Sequence, residues 1–360
     1  MNFTFHLTEK CNLSCIYCSH LQSNKTMEFD IIKRAIDMSV ETQRITGISF
    51  YGGEPLFCKD LIAETINYAK KIENSEKHSF IYNITTNGTM LDTDFLDLAK
   101  NVRMTIALSH DGVMQKTSRK IKSVEDTEAF FEQKIKMLLN SMPHSIVMTT
   151  IDPSLVSLFA ESVEYLYAKG FRYFLTTPAF GKHIHWTDEL LFILAQQYEK
   201  IADFYFERTM AGDKFYFGAF DSKIQSHIKC ERNCVNVCHI GRNQFSVSID
   251  GKLYPCVQFI NDENFCVGDV FDRVDDNKQI ALSKIHTTPP ECEGCTLKTR
   301  CRHTCGCLNT IETGFVDRIS PFQCEHERLV IATADKLAAR LYKKKNKTFM
   351  NKHYTKVKLS

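Results

Sequence analysis

Hydrophobic and polar positions alternate with two different periods along the first half of the chain. Apolar residues recur every three to four positions in five segments, a spacing typical of helices with one buried face: 29–46, 60–72, 92–101, 124–139 and 155–169. Six short apolar runs predict strands: 4–7, 48–51, 79–85, 104–109, 145–151 and 172–177. Strands alternating with helices predict an α/β fold with a parallel sheet and right-handed crossovers. Because six strands are too few for a closed eight-stranded barrel, we expect a partial barrel with its site at the carboxyl ends of the strands.

The pattern changes after about Met210, where long helical periodicity disappears. Residues 244–254 predict a hairpin that turns at Asp250-Gly251, and helical periodicity returns over 325–341. The tail beyond Tyr342 is rich in lysine, and we expect it to be poorly ordered. The sequence therefore predicts a first domain over 1–215, a small second domain over 216–325, and a C-terminal helix with a basic tail over 326–360.

Charge and targeting signals exclude several classes of protein. The formal net charge is only +2, so no overall field indicates a nucleic-acid partner. The N-terminus has no basic region followed by an apolar run, and no stretch approaches eighteen uncharged apolar residues, so we expect neither secretion nor a membrane span. These features predict a cytoplasmic protein.

Cysteine usage is the unusual feature of the composition, with fifteen thiols in 360 residues. Because a cytoplasmic chain keeps its thiols reduced, this number indicates metal binding or catalysis rather than disulfides. Ten of the fifteen lie between Lys229 and Phe322, in a domain too small to rely on apolar burial alone.

Three cysteines, Cys11, Cys15 and Cys18, lie on the loop after the first predicted strand with the spacing C-x3-C-x2-C. Three thiolates on one loop can hold three corners of a cubane iron-sulfur cluster and leave the fourth iron open. The alternative is a zinc loop completed by His6 or His20.

A second motif, Gly52-Gly53-Glu54-Pro55, follows the next predicted strand, where paired glycines allow close approach of a ligand and Glu54 presents a carboxylate. Together with the cysteine loop, in which Tyr17 precedes the last cysteine, it resembles the radical S-adenosylmethionine (SAM) enzymes. Thr85-Thr86-Asn87-Gly88 and Ser109-His110-Asp111-Gly112 fall where that family has its third and fourth strand ends.

The resemblance implies a [4Fe-4S] cluster held by Cys11, Cys15 and Cys18, whose open iron binds the amino and carboxylate groups of SAM. Electron transfer then yields methionine and a 5'-deoxyadenosyl radical. The residues implied in SAM binding are Gly52, Gly53 and Glu54 at the methionyl amine, Tyr17 near the adenine, and Ser109 and Arg119 at the carboxylate. Alternatively, Arg119 is a solvated surface residue that does not bind SAM. Thr86 and Asn87, in turn, are alternatively residues that only form a turn.

A further array of cysteines lies near the C-terminus. It reads C-x12-G-x4-C, a gap, C-x2-C-x5-C-x3-C, a gap, and C, over Cys238, Gly251, Cys256, Cys292, Cys295, Cys301, Cys305 and Cys324. A zinc ribbon is the structural alternative. The array resembles the SPASM domain, the seven-cysteine extension of radical SAM enzymes that act on peptides and proteins.

That second resemblance implies two auxiliary [4Fe-4S] clusters, so three clusters in all. The outer cluster would be held by Cys292, Cys295, Cys301 and Cys324. The inner cluster would be held by Cys238, Cys256 and Cys305, with Cys234 preferred over Cys230 as a fourth ligand, or an open iron. The remaining cysteines, Cys58, Cys266 and Cys307, are unassigned.

Three functions follow from these resemblances. The first is a peptide maturase that abstracts hydrogen from a ribosomally synthesised precursor and installs a thioether or other crosslink. The second is an anaerobic sulfatase-maturating enzyme, which oxidises Cys or Ser to formylglycine. Because Val257 follows Cys256 where that group has a carboxylate base, we favour the maturase, although Asp213 or Asp221 offers a substitute base. The third, an electron carrier or zinc protein, leaves the Gly-Gly-Glu-Pro motif unexplained.

The expected partners are a precursor peptide or protein and a flavodoxin or ferredoxin as reductant. Since the first cysteine stands at position 11, we expect any leader peptide to bind the barrel, the second domain or a separate leader-binding protein. The lysine run from Lys343 to Lys347 is a candidate contact for an acidic leader, with a solubilising tail as the alternative.

Overall fold

The computed structural model of the chain describes residues 1–20, 22–121, 127–181, 183–228, 240–241, 243–285 and 287–354. The chain forms two compact units, each built from separate segments. The first unit consists of Met1–Ser109, Arg119–Ser145 and His239–Thr287. The second consists of His110–Ser118, Ile146–Cys238 and Thr288–Ser360.

Strands and helices are numbered here in chain order. The strands are β1 (Asn2–His6), β2 (Leu13–Cys15), β3 (Ile45–Tyr51), β4 (Ser79–Thr86), β5 (Thr105–Ser109), β6 (Arg119–Ile121), β7 (Ile146–Ile151), β8 (Tyr173–Pro178), β9 (Tyr216–Phe217), β10 (Gln244–Val247), β11 (Leu253–Tyr254), β12 (Gly268–Asp269) and β13 (Arg273–Val274). The helices are α1 (Phe29–Val40), α2 (Lys59–Ser75), α3 (Thr93–Asn101), α4 (Gln115–Ser118), α5 (Thr127–Ser141), α6 (Phe159–Ala168), α7 (Asp188–Met210), α8 (Gly218–Ile228), α9 (Asp276–Ile285), α10 (Gly306–Thr313), α11 (Pro321–Lys343) and α12 (Lys347–His353).

The first unit is built on a sheet with the strand order β11-β10-β1-β3-β4-β5. Neighbours from β10 to β5 are parallel, and only β11 runs antiparallel, to β10. Phe3, Phe5, Ile48 and Phe50 are almost fully buried, as expected for a parallel sheet with covered faces. The parallel arrangement places the ends of β1, β3, β4 and β5 along one edge of the sheet.

The second unit contains the parallel strands β7, β8 and β9 and the long helices α7 and α11. Its largest buried side chains include Tyr198 and Tyr205 of α7, Phe217 of β9 and Phe220 of α8, each at most 1% exposed. Since these rings are inflexible and large, they fix how α7 and α8 pack in this unit.

The α/β class with parallel strands, predicted from the sequence, is confirmed. Each of the six predicted strands overlaps an observed one, and the five predicted helices correspond to α1, α2, α3, α5 and α6. The predicted hairpin at Asp250-Gly251 is also present, as β10 and β11. Its position was not foreseen, because β10 pairs in parallel with β1 and extends the sheet of the first unit.

The prediction of a poorly ordered basic tail is wrong for 347–353, which form α12. Phe349 and His353 are buried, and Lys352 donates hydrogen bonds to the Tyr205 hydroxyl and the Phe215 carbonyl, both at 2.7 Å. Because the segment is rich in lysine, its sequence did not indicate that Phe349 and His353 are buried. None of the described helices is both long enough and apolar enough to cross a membrane.

Candidate functional site

The cysteine loop of the first unit begins at the carboxyl end of β1. Its middle part is held as β2, which pairs antiparallel with β6 so that Cys15 lies opposite Arg119. Within the loop, the Leu13 amide lies 3.5 Å from Cys11 Sγ, and the Cys18 amide donates to the Cys15 carbonyl at 3.1 Å. Cys18 is exposed, whereas Cys11 and Cys15 are half-buried. The three predicted cluster ligands therefore share one short, hydrogen-bonded loop.

Gly52 and Gly53 pack directly against the start of this loop. The Gly53 amide donates to the Thr8 carbonyl at 2.7 Å, and the Glu54 amide donates to the Lys10 carbonyl at 2.9 Å. A Cβ on Gly53 would lie 2.6 Å from the Lys10 carbonyl oxygen, and one on Gly52 would lie 2.5 Å from that of Thr8. Both glycines are thus required by the close approach of two backbones, which positions the cysteine loop at the end of β3.

Glu54 is fully buried and joins the ends of β3 and β4. Its Oε1 accepts hydrogen bonds from the Leu56 amide at 3.0 Å and the Thr86 hydroxyl at 2.6 Å, and its Oε2 accepts one from the Asn87 amide at 2.7 Å. Burial raises the pKa of this carboxyl to about 7, although these hydrogen bonds act in the opposite direction. Its role at the methionyl amine stays a prediction.

Thr86 and Asn87 do more than form a turn, so that alternative is wrong. Asn87 Nδ2 donates to Asn12 Oδ1 at 3.1 Å and lies 3.9 Å from Cys11 Sγ. Thr89 completes the network, because its hydroxyl bonds Asn87 Oδ1 at 2.7 Å and accepts from Asn12 Nδ2 at 2.9 Å. Asn12 and Thr89 were missed by sequence reasoning, since nothing local in the sequence indicates a contact 77 residues apart.

Arg119 lies over the ring of Tyr17, with its guanidinium carbon 5.3 Å from the ring centroid. Only 8% of Arg119 is exposed, so the alternative of a solvated surface residue is wrong. Ser109 is the last residue of β5 and is half-buried. The assignment of Tyr17, Ser109 and Arg119 to SAM binding stays a prediction.

Three aromatic rings, those of His6, His20 and Tyr51, form an edge-to-face cluster beside the cysteine loop, with centroids 5.5 to 6.0 Å apart. His20 Nε2 and the Tyr51 hydroxyl lie 3.3 Å apart. Burial lowers the pKa of His6 to about 4 and also lowers that of His20, so both rings are neutral at pH 7. Burial raises the pKa of Tyr51 to about 12, and Cys18, Arg119 and Cys256 all lie near enough to influence it.

The zinc alternative for the cysteine loop calls for several donor side chains around one ion. Within the described ranges, no three His, Cys, Asp or Glu side chains converge where they could hold a single metal ion. A zinc ion needs such convergence, because its ligands all lie about 2.0 to 2.3 Å from one centre. Each iron of a cubane, by contrast, is bound by its own thiolate.

Four of the predicted auxiliary ligands, Cys292, Cys295, Cys301 and Cys324, lie in the second unit. Burial raises the pKa of Cys292, and the neighbouring charges of Cys324 and Cys295 raise it further. Burial also raises the pKa of Cys301 to about 12, with Cys292 again among its neighbours. The four thiols predicted for the outer cluster are thus electrostatic neighbours in a partly buried region.

The structure describes only some of the cysteines that are predicted to hold the inner auxiliary cluster. Cys230, Cys234 and Cys238 lie outside the described residues, Cys256 belongs to the first unit and Cys305 to the second. Cys305 Sγ lies 3.7 Å from Cys307 Sγ, and this hydrogen bond lowers the pKa of Cys305 to about 6. The assignment of this cluster, including the preference for Cys234, stays a prediction.

A cysteine loop held at the end of β1 by a Gly-Gly-Glu segment at the end of β3 defines the class of this domain. Residues 5–166 match the sequence profile of the radical SAM superfamily, and this part of the chain is a radical SAM domain. Such domains work with a [4Fe-4S] cluster and SAM, and the chain is an enzyme of this type.

Other matches cover most of the chain. A cysteine-type anaerobic sulfatase-maturating enzyme of Clostridium novyi is 23% identical over 86% of this chain and 87% of its own length. The structure "His6 tagged anSMEcpe with bound AdoMet" superposes with a TM-score of 0.80 at 17% identity, covering 98% of both chains. Streptococcus suis SuiB bound to S-adenosylmethionine superposes with a TM-score of 0.63 at 14% identity, covering 89% of this chain and 76% of that one. At these identities the two structures establish the fold.

Proposed function

We propose that this protein is a radical SAM maturase that modifies a ribosomally synthesised precursor peptide by installing a thioether or other crosslink. The cofactors supply reductive cleavage of SAM to methionine and a 5'-deoxyadenosyl radical, which abstracts a hydrogen atom from the peptide. The chain's own residues hold these groups, position the peptide and exclude water.

We base the choice of reaction on the hydrogen bonds and ion pairs of the carboxylates that could act as the base in formylglycine formation. Val257 stands directly after Cys256, where the sulfatase-maturating group has its base. Asp221 is fully buried and already bonds the Tyr205 hydroxyl at 2.8 Å, Lys352 Nζ at 2.6 Å and the Phe217 amide at 2.7 Å. A carboxylate with this many partners holds the fold together and is not poised to accept a substrate proton.

Asp213, the other substitute considered, is also engaged within the fold. Its Oδ2 lies 3.4 Å from Arg208 Nη1, and its amide donates to the Arg208 carbonyl at 2.9 Å. The partners that both aspartates have within the fold support a reaction in which the peptide loses hydrogen without needing a carboxylate base at these positions.

Formylglycine formation is the second candidate, and a specific observation favours it. Three cysteine-type anaerobic sulfatase-maturating enzymes from Clostridium are 22–23% identical to this chain over 82–86% of its length. The two candidates share the radical step and differ in what becomes of the oxidised residue.

The proposed ligands follow the sequence assignments. Cys11, Cys15 and Cys18 hold the SAM cluster. Cys292, Cys295, Cys301 and Cys324 hold an outer auxiliary cluster, and Cys256 and Cys305 contribute to an inner one. A flavodoxin or ferredoxin supplies the electron, and a separate protein is a candidate leader binder.

The deciding experiment analyses peptide products. Anaerobically reconstituted protein is incubated with SAM, dithionite and either cysteine-containing precursor peptides encoded near its gene or a peptide spanning a sulfatase's active-site cysteine. Tandem mass spectrometry is expected to find loss of two hydrogens and an internal crosslink in a precursor peptide. Replacement of the cysteine sulfur by oxygen together with loss of two hydrogens in the sulfatase peptide, with no change in any precursor, would establish the second candidate instead.

Two cysteine variants control this experiment. Cys15→Ala is expected to abolish both 5'-deoxyadenosine formation and peptide modification. Cys266→Ala, which removes a half-buried thiol 3.4 Å from the Gly268 carbonyl and not assigned to any cluster, is expected to retain both. Product formation by Cys15→Ala would contradict the proposed function.

A further inference from the structure

The second unit contains a cavity whose wall includes Cys305, a proposed ligand of the inner cluster, and several other polar groups that the proposed reaction does not use. It has a volume of about 320 Å³ and lies at the carboxyl ends of β7 and β8, where α8, α11 and the loop before α10 also contribute to its wall. Leu175 and Phe322 supply apolar surface, and several charged groups also line it. This volume is at the lower end of the range for ligand sites, so the cavity fits a single residue-sized group.

Two of the charged groups neutralise each other. Lys223 Nζ lies 2.6 Å from Glu327 Oε2, with both side chains less than 10% exposed, and also donates to the Arg300 carbonyl at 2.8 Å. Although burial alone would raise it, the pKa of Glu327 is held below its ordinary value by Lys223. His326 Nε2 is already occupied, because it pairs with the Tyr198 hydroxyl at 3.0 Å.

Arg302 is the remaining cation of the wall. Its backbone is fixed, since its amide donates to Glu327 Oε2 at 2.8 Å and its carbonyl accepts from Gln323 Nε2 at 3.1 Å. Among the residues that the structure describes, no carboxylate lies within ion-pair distance of its guanidinium. Arg302 is exposed to solvent and lines the cavity together with Cys305, so its guanidinium is open to a carboxylate that enters from outside.

Gln323 provides the second polar feature. It is 3% exposed, and its Oε1 is buried and has no hydrogen-bond partner in the described part of the chain. Its Nε2 is occupied by the Arg302 carbonyl, so the unpaired oxygen of a cavity-lining side chain remains available to a donor. A buried acceptor without a partner costs free energy, and a bound N–H group would relieve that cost.

We propose that this cavity binds a carboxylate that is carried next to an amide N–H, as in an acidic residue or a C-terminus of the peptide substrate. The carboxylate pairs with the Arg302 guanidinium, whose planar fork suits two parallel hydrogen bonds. The neighbouring amide N–H donates to Gln323 Oε1. This inference deepens the proposed function and rests on it for the substrate class, while the binding site itself can be tested separately.

The test measures binding by ligand-observed NMR to anaerobically reconstituted protein without SAM or reductant. The probes are N-acetyl-glutamate methylamide, its neutral glutamine analogue, and N-acetyl-alanine with a free C-terminal carboxylate. We expect the glutamate probe to bind wild type at least about tenfold more tightly than the glutamine probe. If the alanine probe binds more tightly than the glutamate probe, the favoured source is a C-terminus; if it binds as weakly as the glutamine probe, the source is an acidic side chain. Equal binding of the two acidic probes means that the site accepts either source.

Arg302→Gln is expected to remove this tenfold preference, and Arg302→Lys to restore part of it, because lysine returns the charge without the fork. Arg318→Gln is the matched control, since Arg318 is an exposed arginine of the same unit whose guanidinium stacks 4.2 Å from the Phe315 ring centroid. It is expected to bind all probes as wild type does. Equal binding of the glutamate and glutamine probes to wild type, or a preference that survives in Arg302→Gln, would overturn the proposal.

Because Arg302 adjoins Cys301, iron content is measured in each variant. If Arg302→Gln loses iron, binding of the probes is measured instead with Ser222→Asp. This variant adds a negative charge to the cavity wall on α8. That variant is expected to weaken the glutamate probe about tenfold and leave the glutamine probe unchanged, and unchanged binding of both overturns the proposal.

Failure of the site and failure of the proposed function are distinguishable. Deoxyadenosine formation from SAM and dithionite needs no peptide carboxylate and reports only on the radical reaction. Carboxylate binding without that reaction would reject the proposed function and keep the site, whereas the reaction without carboxylate preference would reject the site alone.

Discussion

Backbone atoms at the start of the cysteine loop fill the space that a methyl group on Gly53 would need. A Cβ there would lie 2.6 Å from the Lys10 carbonyl oxygen and 2.9 Å from that of Glu9, and neither atom can move without displacing the cysteine loop. We expect Gly53→Ala to lower the free energy of unfolding by about 1 to 3 kcal/mol and to reduce 5'-deoxyadenosine formation. Chemical denaturation and product chromatography measure the two effects.

Gly47→Ala is the matched control for this substitution. Its Cβ would meet only the Asn2 side chain, whose Oδ1 would lie 2.9 Å away and can rotate aside. We expect a smaller loss of stability and normal deoxyadenosine formation. If Gly47→Ala were as harmful as Gly53→Ala, crowding of the cysteine loop would not be the cause.

The buried carboxyl of Glu54 predicts a pH dependence of stability. Since its pKa in the folded protein, about 7, lies above the ordinary value of 4.5, the folded state binds the proton more tightly than the unfolded state. The resulting stability is fully present below pH 4.5, falls as the pH rises towards 7 and is then constant. Its size is on the order of 3 kcal/mol.

The measurement is the urea midpoint of wild type and Glu54→Gln between pH 5 and 8. Glutamine keeps the acceptor for the Thr86 hydroxyl but cannot ionise, so we expect the decline between pH 5 and 7 to become shallower. An identical decline in both proteins would show that other groups cause it.

At the scale of elements, α12 is expected to contribute to stability. It buries Phe349 and supplies Lys352, whose Nζ lies 2.6 Å from the fully buried Asp221. Truncation after Lys345 removes this cation and leaves Asp221 uncompensated, so we expect the free energy of unfolding to fall by about 2 to 4 kcal/mol. Thermal denaturation measures the change. Truncation after Tyr354, which keeps α12, should cost far less, and equal losses would contradict the role of the helix.

Elements defined by local periodicity were predictable from the sequence, whereas those defined by distant partners were not. The helices at 60–72 and 92–101 correspond closely to α2 and α3, because each carries its own apolar stripe. The pairing of β10 with β1 joins residues about 240 positions apart, and short strands contain no local signal for the choice of neighbour.

The candidate site likewise has a part that the sequence predicted and a part that it did not. The cysteine loop and the Gly-Gly-Glu segment were found because their spacing is local. The attachment of Glu54 to Thr86 and Asn87, and of Asn87 to Asn12, was not foreseen, because these contacts exist only once the ends of β3 and β4 lie side by side.

For the whole molecule, the proposed set of three cubanes predicts a metal content. Anaerobically reconstituted protein is expected to contain about twelve irons and as many sulfides, four for each cubane. Combined replacement of Cys11, Cys15 and Cys18 by alanine should remove about four irons and abolish deoxyadenosine formation. Colorimetric iron and sulfide assays measure the change. A wild-type content of about four or eight irons, or zinc in place of iron, would contradict the three-cluster assignment.

The parallel pairing of β1 with β10 has a consequence for how the protein is made. β1 emerges from the ribosome long before β10, and its hydrogen-bonding edge on the β10 side can be covered only after residue 247 has been synthesised. At ordinary rates of translation this delay is roughly 10 to 50 s. During that time the strand that leads into the cysteine loop has an open edge, which is a template for wrong pairing. Correct maturation of the nascent chain therefore depends on keeping its first strand from associating with other chains until its last neighbour in the sheet arrives.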